Sequence, residues 1–149
     1  MTKYENILVG VGNILRGDDG IGSIIAKSFH EDDWLSLDCG VVPENYTSIV
    51  KKNKPKLLVI IDAVEMDLNP GDIRIITPEK IAALHLTTHS MPLSFLINYL
   101  KNYVKKILFI GIQPKNIDFS QSINPEVLKS KQAVTKLLKN KLFHQIKTL

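Results

Sequence analysis

The sequence predicts an α/β fold: one three-layer domain in which a twisted, mostly parallel sheet of five strands carries helices on both faces. Three observations predict it. Runs of β-forming apolar residues alternate along the chain with amphipathic segments that have helical spacing. Two of these runs are apolar throughout, which is typical of strands buried on both faces. Glycine, proline and asparagine mark many of the junctions between the segments.

Five strands are predicted from the apolar runs. They lie at about 7–11, 34–37, 57–61, 72–77 and 107–112. The run at 57–61 is the most continuous, so it is placed as a central parallel strand. Residues 72–77 instead alternate partly between apolar and polar side chains, which favours a position nearer an edge of the sheet.

Helices are predicted between the strands. They lie at about 21–29, from Pro43 onward, at 78–84, from Pro92 to about 104, and from 125 to about 146. Ile21, Ile24, Ile25 and Phe29 recur at the spacing of one helix face. Proline suits the first turn of a helix, which explains the placement of Pro43 and Pro92. Residues 87–90 are expected to form a loop.

Length and composition bound the class of protein. A chain of 149 residues is expected to form a single domain over 1–149, and it has a formal net charge of +4. The lysines are spread out with no interleaved aromatic residues, so nucleic-acid binding is not expected. A single cysteine fits a reducing compartment, and no apolar run approaches the length of a membrane span. We therefore expect a cytoplasmic protein without a signal peptide, and a monomer because no sustained heptad is present.

The stretch at residues 7–22 organises the chain, since it passes from a strand through glycines into a helix. Gly10 and Gly12 match the start of a dinucleotide-binding motif, but Leu15 occupies the place of its third glycine. Asp18 and Asp19 in the same turn would repel a pyrophosphate and favour a cation. A doubly wound nucleotide-binding module therefore stays only as an alternative hypothesis.

Three polar residues follow strand ends or lie on a loop that could reach them. Asp19 follows the first strand, Asp62 ends the third, and His89 lies in the loop before Pro92. If the first and third strands are parallel neighbours, both carboxylates emerge at the same edge of the sheet. Two carboxylates and one imidazole, with positions left open, suit a first-row divalent ion such as nickel, zinc or cobalt.

Structural roles compete with this hypothesis for each acidic residue. Asp19 could cap the following helix, and Asp18 is expected to cap it or to bond a loop. Asp62 follows five apolar residues, and acids are rarely buried without a partner, so a functional role is favoured there.

For the histidines and the cysteine, too, a structural role is weighed against a functional one. His89 alone would more often be an ordinary hydrogen-bonded loop histidine. His85 is assigned a structural role, and His30 and His144 are expected on the surface. Cys39 has no evident base partner nearby, so we expect a small buried thiol rather than a nucleophile.

Taken in order, six segments resemble the maturation endopeptidases of [NiFe]-hydrogenases, and the last two resemble the subgroup that processes hydrogenase-3-type large subunits. The segments are GVGNIL with GDDGIG (10–15 and 17–22), Asp38 and Gly40 with PEN (43–45), VIIDA (59–63), NPGDIR (69–74), TTHSMPL (87–93) and FIGIQP (109–114). The match extends to about Pro114. Cys39 is a departure, because the family often has glycine there.

The resemblance implies a protease that removes a short C-terminal extension from a hydrogenase large-subunit precursor after nickel insertion. It places the metal contacts at Asp19, Asp62 and His89, with the nickel supplied by the substrate and other divalent ions able to occupy the isolated site. Asp19 and Asp62 are also the candidate catalytic residues, and the attacking group is left open between metal-assisted water and an acid acting as base. A nickel-dependent checkpoint or chaperone that binds the large subunit without cutting it is the further alternative.

Overall fold

A computed structural model describes residues 3–86, 91–120 and 122–149. Within them the chain forms five strands, close to the predicted positions: β1 (Asn6–Gly10), β2 (Trp34–Asp38), β3 (Leu57–Ala63), β4 (Ile73–Ile76) and β5 (Lys106–Ile112). The helices are α1 (Ile21–Ser28), α2 (Thr47–Asn53), α3 (Pro78–Ala83), α4 (Leu93–Leu100) and α5 (Pro125–Lys139). Short 3-10 turns precede α1, at Gly17–Gly20, and α2, at Pro43–Tyr46.

The five strands form one sheet in the order β2-β1-β3-β5-β4. The first three pairings are parallel, and β4 pairs antiparallel with β5 at an edge. Gly10 lies opposite both Asp38 and Ile61, so β1 and β2 end level with each other and β3 continues for two residues beyond them at the same carboxyl end of the sheet. The predicted mostly parallel sheet, with 72–77 near an edge, is confirmed.

The core lies on both faces of this sheet. Along β3, Leu58 and Ile60 face one apolar cluster, which also contains residues of α2, α3 and α4. Val59 and Ile61 face the other cluster, which contains residues of α1 and α5. Successive side chains of a strand point to opposite faces, so a run that is apolar at every position needs helices on both sides. The predicted three layers are thereby confirmed.

The closing helix and α4 are shorter than predicted. The helix from Pro125 ends at Lys139, because Asn140 caps it and Lys141 has a φ of 53°, which no helix continues. The last residues instead join the sheet, where the Ile75 N–H donates to the Lys147 carbonyl and the Leu149 N–H donates to the Ile75 carbonyl. The predicted helix to residue 146 is therefore wrong beyond Lys139, since the chain end pairs with the exposed side of β4.

α4 ends at Leu100 rather than near 104, and a turn follows in which the Tyr103 N–H donates to the Leu100 carbonyl. None of the helices in the described ranges is long and apolar enough to span a membrane.

Candidate functional site

Glycines fix how closely the first turn packs against β3. The Val11 N–H donates to the Ile61 carbonyl at 2.8 Å, which ties the exit of β1 to the end of β3. A Cβ placed at Gly22 would lie 2.3 Å from the Val11 carbonyl oxygen and 2.4 Å from that of Ile61. Only glycine allows this close contact of α1 with the two strand ends. The contact brings the turn before α1 close to the carboxyl end of β3.

Asp19 is oriented by a backbone amide upstream of it. Its carboxylate accepts a hydrogen bond from the Asn13 N–H at 3.0 Å. The residue lies in the 3-10 turn and is partly exposed, whereas α1 begins after Gly20 without any side-chain cap. The alternative role of Asp19 as a helix cap is therefore wrong.

Asp62 lies near the end of β3, where its Oδ1 accepts the N–H of Ala63 at 2.8 Å. Its side chain is half-buried. Burial raises the pKa of the Asp62 carboxyl well above its ordinary value, and the negative charge of Asp19 raises it further. The hydrogen bond from Ala63 acts in the opposite direction but is outweighed. Two of the three predicted site residues are thus within electrostatic reach of each other.

His89 lies outside the described residues, together with Thr87, Thr88 and Ser90, so its role as the third ligand stays a prediction. Within the described ranges no three histidine, cysteine, aspartate or glutamate side chains are grouped closely enough to hold a metal ion. Asp19 and Asp62 thus supply at most two of the ligands that a divalent ion needs.

Asp18 has a different role from its neighbour, because its side chain is 1% exposed and fully engaged. Its Oδ2 accepts the N–H groups of Lys115 and Asn116 at 2.8 and 2.9 Å, and its Oδ1 accepts that of Asn124 at 2.7 Å. The predicted loop-bonding role is confirmed. The sequence does not indicate these partners, because nothing near Asp18 points to residues so far along the chain.

Two amides of the glycine turn that a phosphate would need are already bonded within the protein. The Gly12 N–H donates to the Gly40 carbonyl at 2.8 Å, and the Asn13 N–H is taken by Asp19. Asp38 ends β2, where a dinucleotide-binding fold would carry its ribose-binding acid, but it accepts a hydrogen bond from Ser23 and forms an ion pair with Lys27 at 3.5 Å. These contacts disfavour the nucleotide-binding hypothesis.

Cys39 is buried directly after β2, with its Sγ 3.7 Å from the Leu37 carbonyl. Burial raises the pKa of the Cys39 thiol to about 12, and the charges of Asp38 and Glu44 add to the effect. A thiol that stays protonated is a poor nucleophile, which supports the structural role expected from the sequence.

The other described histidines lie on the surface. His30 and His144 are exposed, as predicted, and His85 is exposed in a turn with a φ of 52°.

Gln113 is buried, and its Oε1 accepts the N–H groups of Met66 and Leu68 at 2.7 and 3.2 Å. This glutamine therefore holds the segment that follows β3, a role that no single-sequence signal indicates.

Comparison with known proteins identifies the family of this chain. The family model described as "HycI: Hydrogenase maturation protease" matches residues 21–141. The chain is 42% identical to the hydrogenase 3 maturation protease of Escherichia coli K12, with 76% of each chain covered. It is 34% identical to a putative hydrogenase maturation protease of Methanocaldococcus jannaschii, with 80% of each chain covered.

Solved structures agree with the sequence matches. A crystal structure of the hydrogenase 3 maturation protease superimposes with a TM-score of 0.91 at 34% identity, covering 98% of this chain and 97% of the other. The [NiFe]-hydrogenase maturation protease HycI of Thermococcus kodakarensis gives a TM-score of 0.81 at 27% identity, covering 96% and 94%. The chain therefore belongs to the hydrogenase maturation protease family and is a peptidase of the hydrogenase-3 type.

Proposed function

We propose that this peptidase removes the C-terminal extension of a nickel-loaded [NiFe]-hydrogenase large-subunit precursor, and that Asp19, Asp62 and His89 contact the nickel carried by that precursor. The observation that carries the proposal is the electrostatic coupling of Asp62 to Asp19 at the sheet edge. Two neighbouring carboxylates repel each other in the absence of a cation, so their proximity favours a site that is completed by one.

The donor set supports an ion supplied by the substrate rather than one stored in the enzyme. It has two carboxylates and one imidazole and no thiolate, since Cys39 is buried after β2 with a pKa raised to about 12. A nickel ion held by thiolates of the precursor could be shared with such a set, because each protein then completes the coordination shell of the other. Cleavage would thereby depend on the maturity of the substrate.

The raised pKa of Asp62 adds a physical coupling to this dependence. A carboxyl that holds its proton more tightly than usual must release it before it can contact a cation, so contact with nickel and loss of the proton go together. Asp19, whose carboxylate is oriented by Asn13, and Asp62 are also the candidates for proton transfer to and from the peptide bond during hydrolysis.

The test compares two preparations of one hydrogenase-3-type large-subunit precursor, nickel-loaded and nickel-free, after incubation with the purified protein. Mass spectrometry should show loss of the C-terminal extension from the loaded form alone. Asp62→Asn and His89→Ala should abolish the cut, while Asp67→Asn, at an exposed position, should not. Equal cutting of both preparations would refute the nickel dependence, and no cutting of either would refute the proposed reaction.

A further inference from the structure

Two loops beside Asp19 pair with each other and carry four large apolar side chains that are exposed to solvent. We name these residues the apolar rim. They are Ile14 (46% exposed), Leu15 (44%), Ile117 (45%) and Phe119 (80%). Single exposed apolar residues are ordinary on a protein surface, but four on two adjoining loops are typical of an interaction site.

Hydrogen bonds hold the two loops together. The Ser120 N–H donates to the Leu15 carbonyl at 2.9 Å, and the Gly17 N–H donates to the Ser120 carbonyl at 2.7 Å. The Arg16 side chain adds a bond from its Nε to the Ile117 carbonyl at 3.3 Å. The three bonds accepted by the buried carboxylate of Asp18 fix the same loop from beneath.

The exposure of the apolar rim is therefore built into the fold. A surface that is fixed before binding loses little conformational entropy when a partner covers it, so the hydrogen-bonded loops are suited to recognition. Phe119 is the most exposed of the four, and aromatic side chains are enriched among the residues that dominate protein interfaces.

The apolar rim borders the candidate site directly. Ile14 follows Asn13, whose N–H holds the Asp19 carboxylate. A Cβ at Gly20, the residue after Asp19, would lie only 2.9 Å from the Ile14 Cα, so the turn that carries Asp19 packs against the start of the apolar rim. Any molecule that brings an ion to Asp19 must therefore come close to Ile14, the start of the apolar rim.

We infer that the apolar rim docks the folded large-subunit precursor, through an apolar surface that surrounds the nickel site of that precursor. The inference rests on the proposed function. Ligand bonds to a first-row metal are about 2 Å long, so the precursor surface around its nickel must lie against the residues that flank Asp19. Exposed apolar side chains at that position require an apolar counterpart, since polar groups covered by them would lose their water without gaining partners.

The experiment measures steady-state cleavage of the nickel-loaded precursor by the double variant Ile117→Ser, Phe119→Ser. We expect KM to rise about 10-fold or more with kcat at saturation unchanged within about twofold, because docking is lost while the site residues are retained. Using Phe119→Leu instead of Phe119→Ser keeps an apolar side chain and should retain most of the affinity for the precursor. Both changes are at exposed positions, so thermal unfolding should be unchanged and reports whether the variants fold.

Phe95→Ser is the matched control, because Phe95 is 70% exposed and lies on α4, which packs on the opposite face of the sheet from α1 and α5. Its KM should stay within about twofold of the parent value. An unchanged KM in the double variant, or an equal rise in Phe95→Ser, would overturn the inference.

Three further outcomes distinguish the folded precursor from other occupants of the apolar rim, and distinguish failure of the inference from failure of the proposed function. Loss of a concentration-dependent dimer in the double variant, seen by sedimentation, would assign the apolar rim to a second copy of this chain and overturn the inference. So would a synthetic extension peptide that binds the parent and fails to bind the double variant. If the parent leaves the loaded precursor uncut, the proposed function fails, and biolayer interferometry with the same precursor still shows whether the apolar rim binds it.

Discussion

Asp62 and Asp19 lie within electrostatic reach of each other at the carboxyl edge of the sheet, and burial together with the Asp19 charge holds the pKa of Asp62 well above its ordinary value of 3.8. The pair therefore destabilises the folded state whenever both groups are ionised. A folded protein that retains such a pair keeps a functional group at some expense of stability, which is common in active sites.

The first prediction is that Asp62→Asn stabilises the protein at neutral pH. A carboxyl whose pKa is raised on folding contributes stability below its unfolded pKa and loses that contribution as the pH rises through the folded pKa. Asparagine removes the charge, so the melting temperature at pH 7 should rise by roughly 2–5 °C, the range of stabilising changes at functional sites. Differential scanning calorimetry from pH 3 to pH 8 measures the effect.

The pH dependence distinguishes this cause from a general packing effect. The gain from Asp62→Asn should shrink as the pH falls and disappear below the unfolded pKa of 3.8, where aspartic acid is also neutral. Asp32→Asn, at an exposed position, provides the control and should change the melting temperature little at any pH. A gain that persists undiminished in acid would contradict the explanation.

The second prediction concerns the buried carboxylate of Asp18. Asp18→Ala removes three hydrogen bonds to the loop at 115–124, each accepted by a charged group. We expect a loss of roughly 3–5 kcal/mol in the free energy of unfolding, measured by urea denaturation, because bonds to charged groups are worth more than neutral ones. Hydrogen exchange at the amides of Lys115, Asn116 and Asn124 should accelerate most.

Asp118→Ala is the matched control, since Asp118 is an exposed acid in the same loop. It should change the free energy of unfolding by less than about 0.5 kcal/mol. Equal destabilisation by both changes would show that loss of any acid in this region suffices, and would contradict the role of the three bonds.

Asp18 and Asp19 show where prediction from the sequence ends. The local pattern of strand, glycine turn and helix places both residues correctly, because apolar runs and glycines have short-range causes. The split of roles between them depends on partners found 97 to 106 positions along the chain, which a single sequence does not indicate. The position of Asp19 after β1 predicts a ligand, and its coupling to Asp62 supports that proposal.

The chain end shows the same limit for the fold. The amphipathic spacing of α5 predicts a helix, but its end is set by contacts beyond the helix itself. Ile75 of the edge strand β4 pairs with the backbone at Lys147 and Leu149, which draws the tail onto the sheet. Edge strands leave unpaired backbone groups, and which segment satisfies them is a tertiary question that helical periodicity does not answer.

The third prediction tests the close packing at Gly22. Gly22→Ala places a Cβ within 2.4 Å of two backbone carbonyl oxygens, of Val11 and Ile61, so α1 must move away from the strand ends. We expect a fall of roughly 6–12 °C in the melting temperature, corresponding to about 3 kcal/mol of overpacking. The displacement should also separate Asp19 from Asp62 and reduce cleavage.

Gly40→Ala is the control for the substitution itself. Gly40 has a φ of 54°, but no atom lies within 4 Å of the position that a Cβ would take there, so only the backbone cost of about 1–2 kcal/mol applies. Its melting temperature should fall by about two thirds as much as that of Gly22→Ala or less. Equal loss in both variants would show that steric contact with the strand ends is not the cause.

The last prediction is that the isolated protein binds a divalent ion weakly, with an affinity that falls steeply in mild acid. His89 must be neutral to act as a ligand, and Asp62 must release a proton that it holds more tightly than an ordinary aspartate does. Both requirements act in the same direction, so the apparent affinity for nickel should decrease as the pH falls from 8 to 5.5. Isothermal titration calorimetry in buffers of different ionisation enthalpy measures the affinity and the protons released.

His89→Ala should remove the histidine part of the pH dependence and weaken binding about 10-fold or more, whereas His85→Ala, at an exposed turn position, should not. In Asp62→Asn the number of protons released should fall while the histidine part remains. An affinity that is unchanged between pH 8 and pH 5.5 would exclude His89 as a ligand.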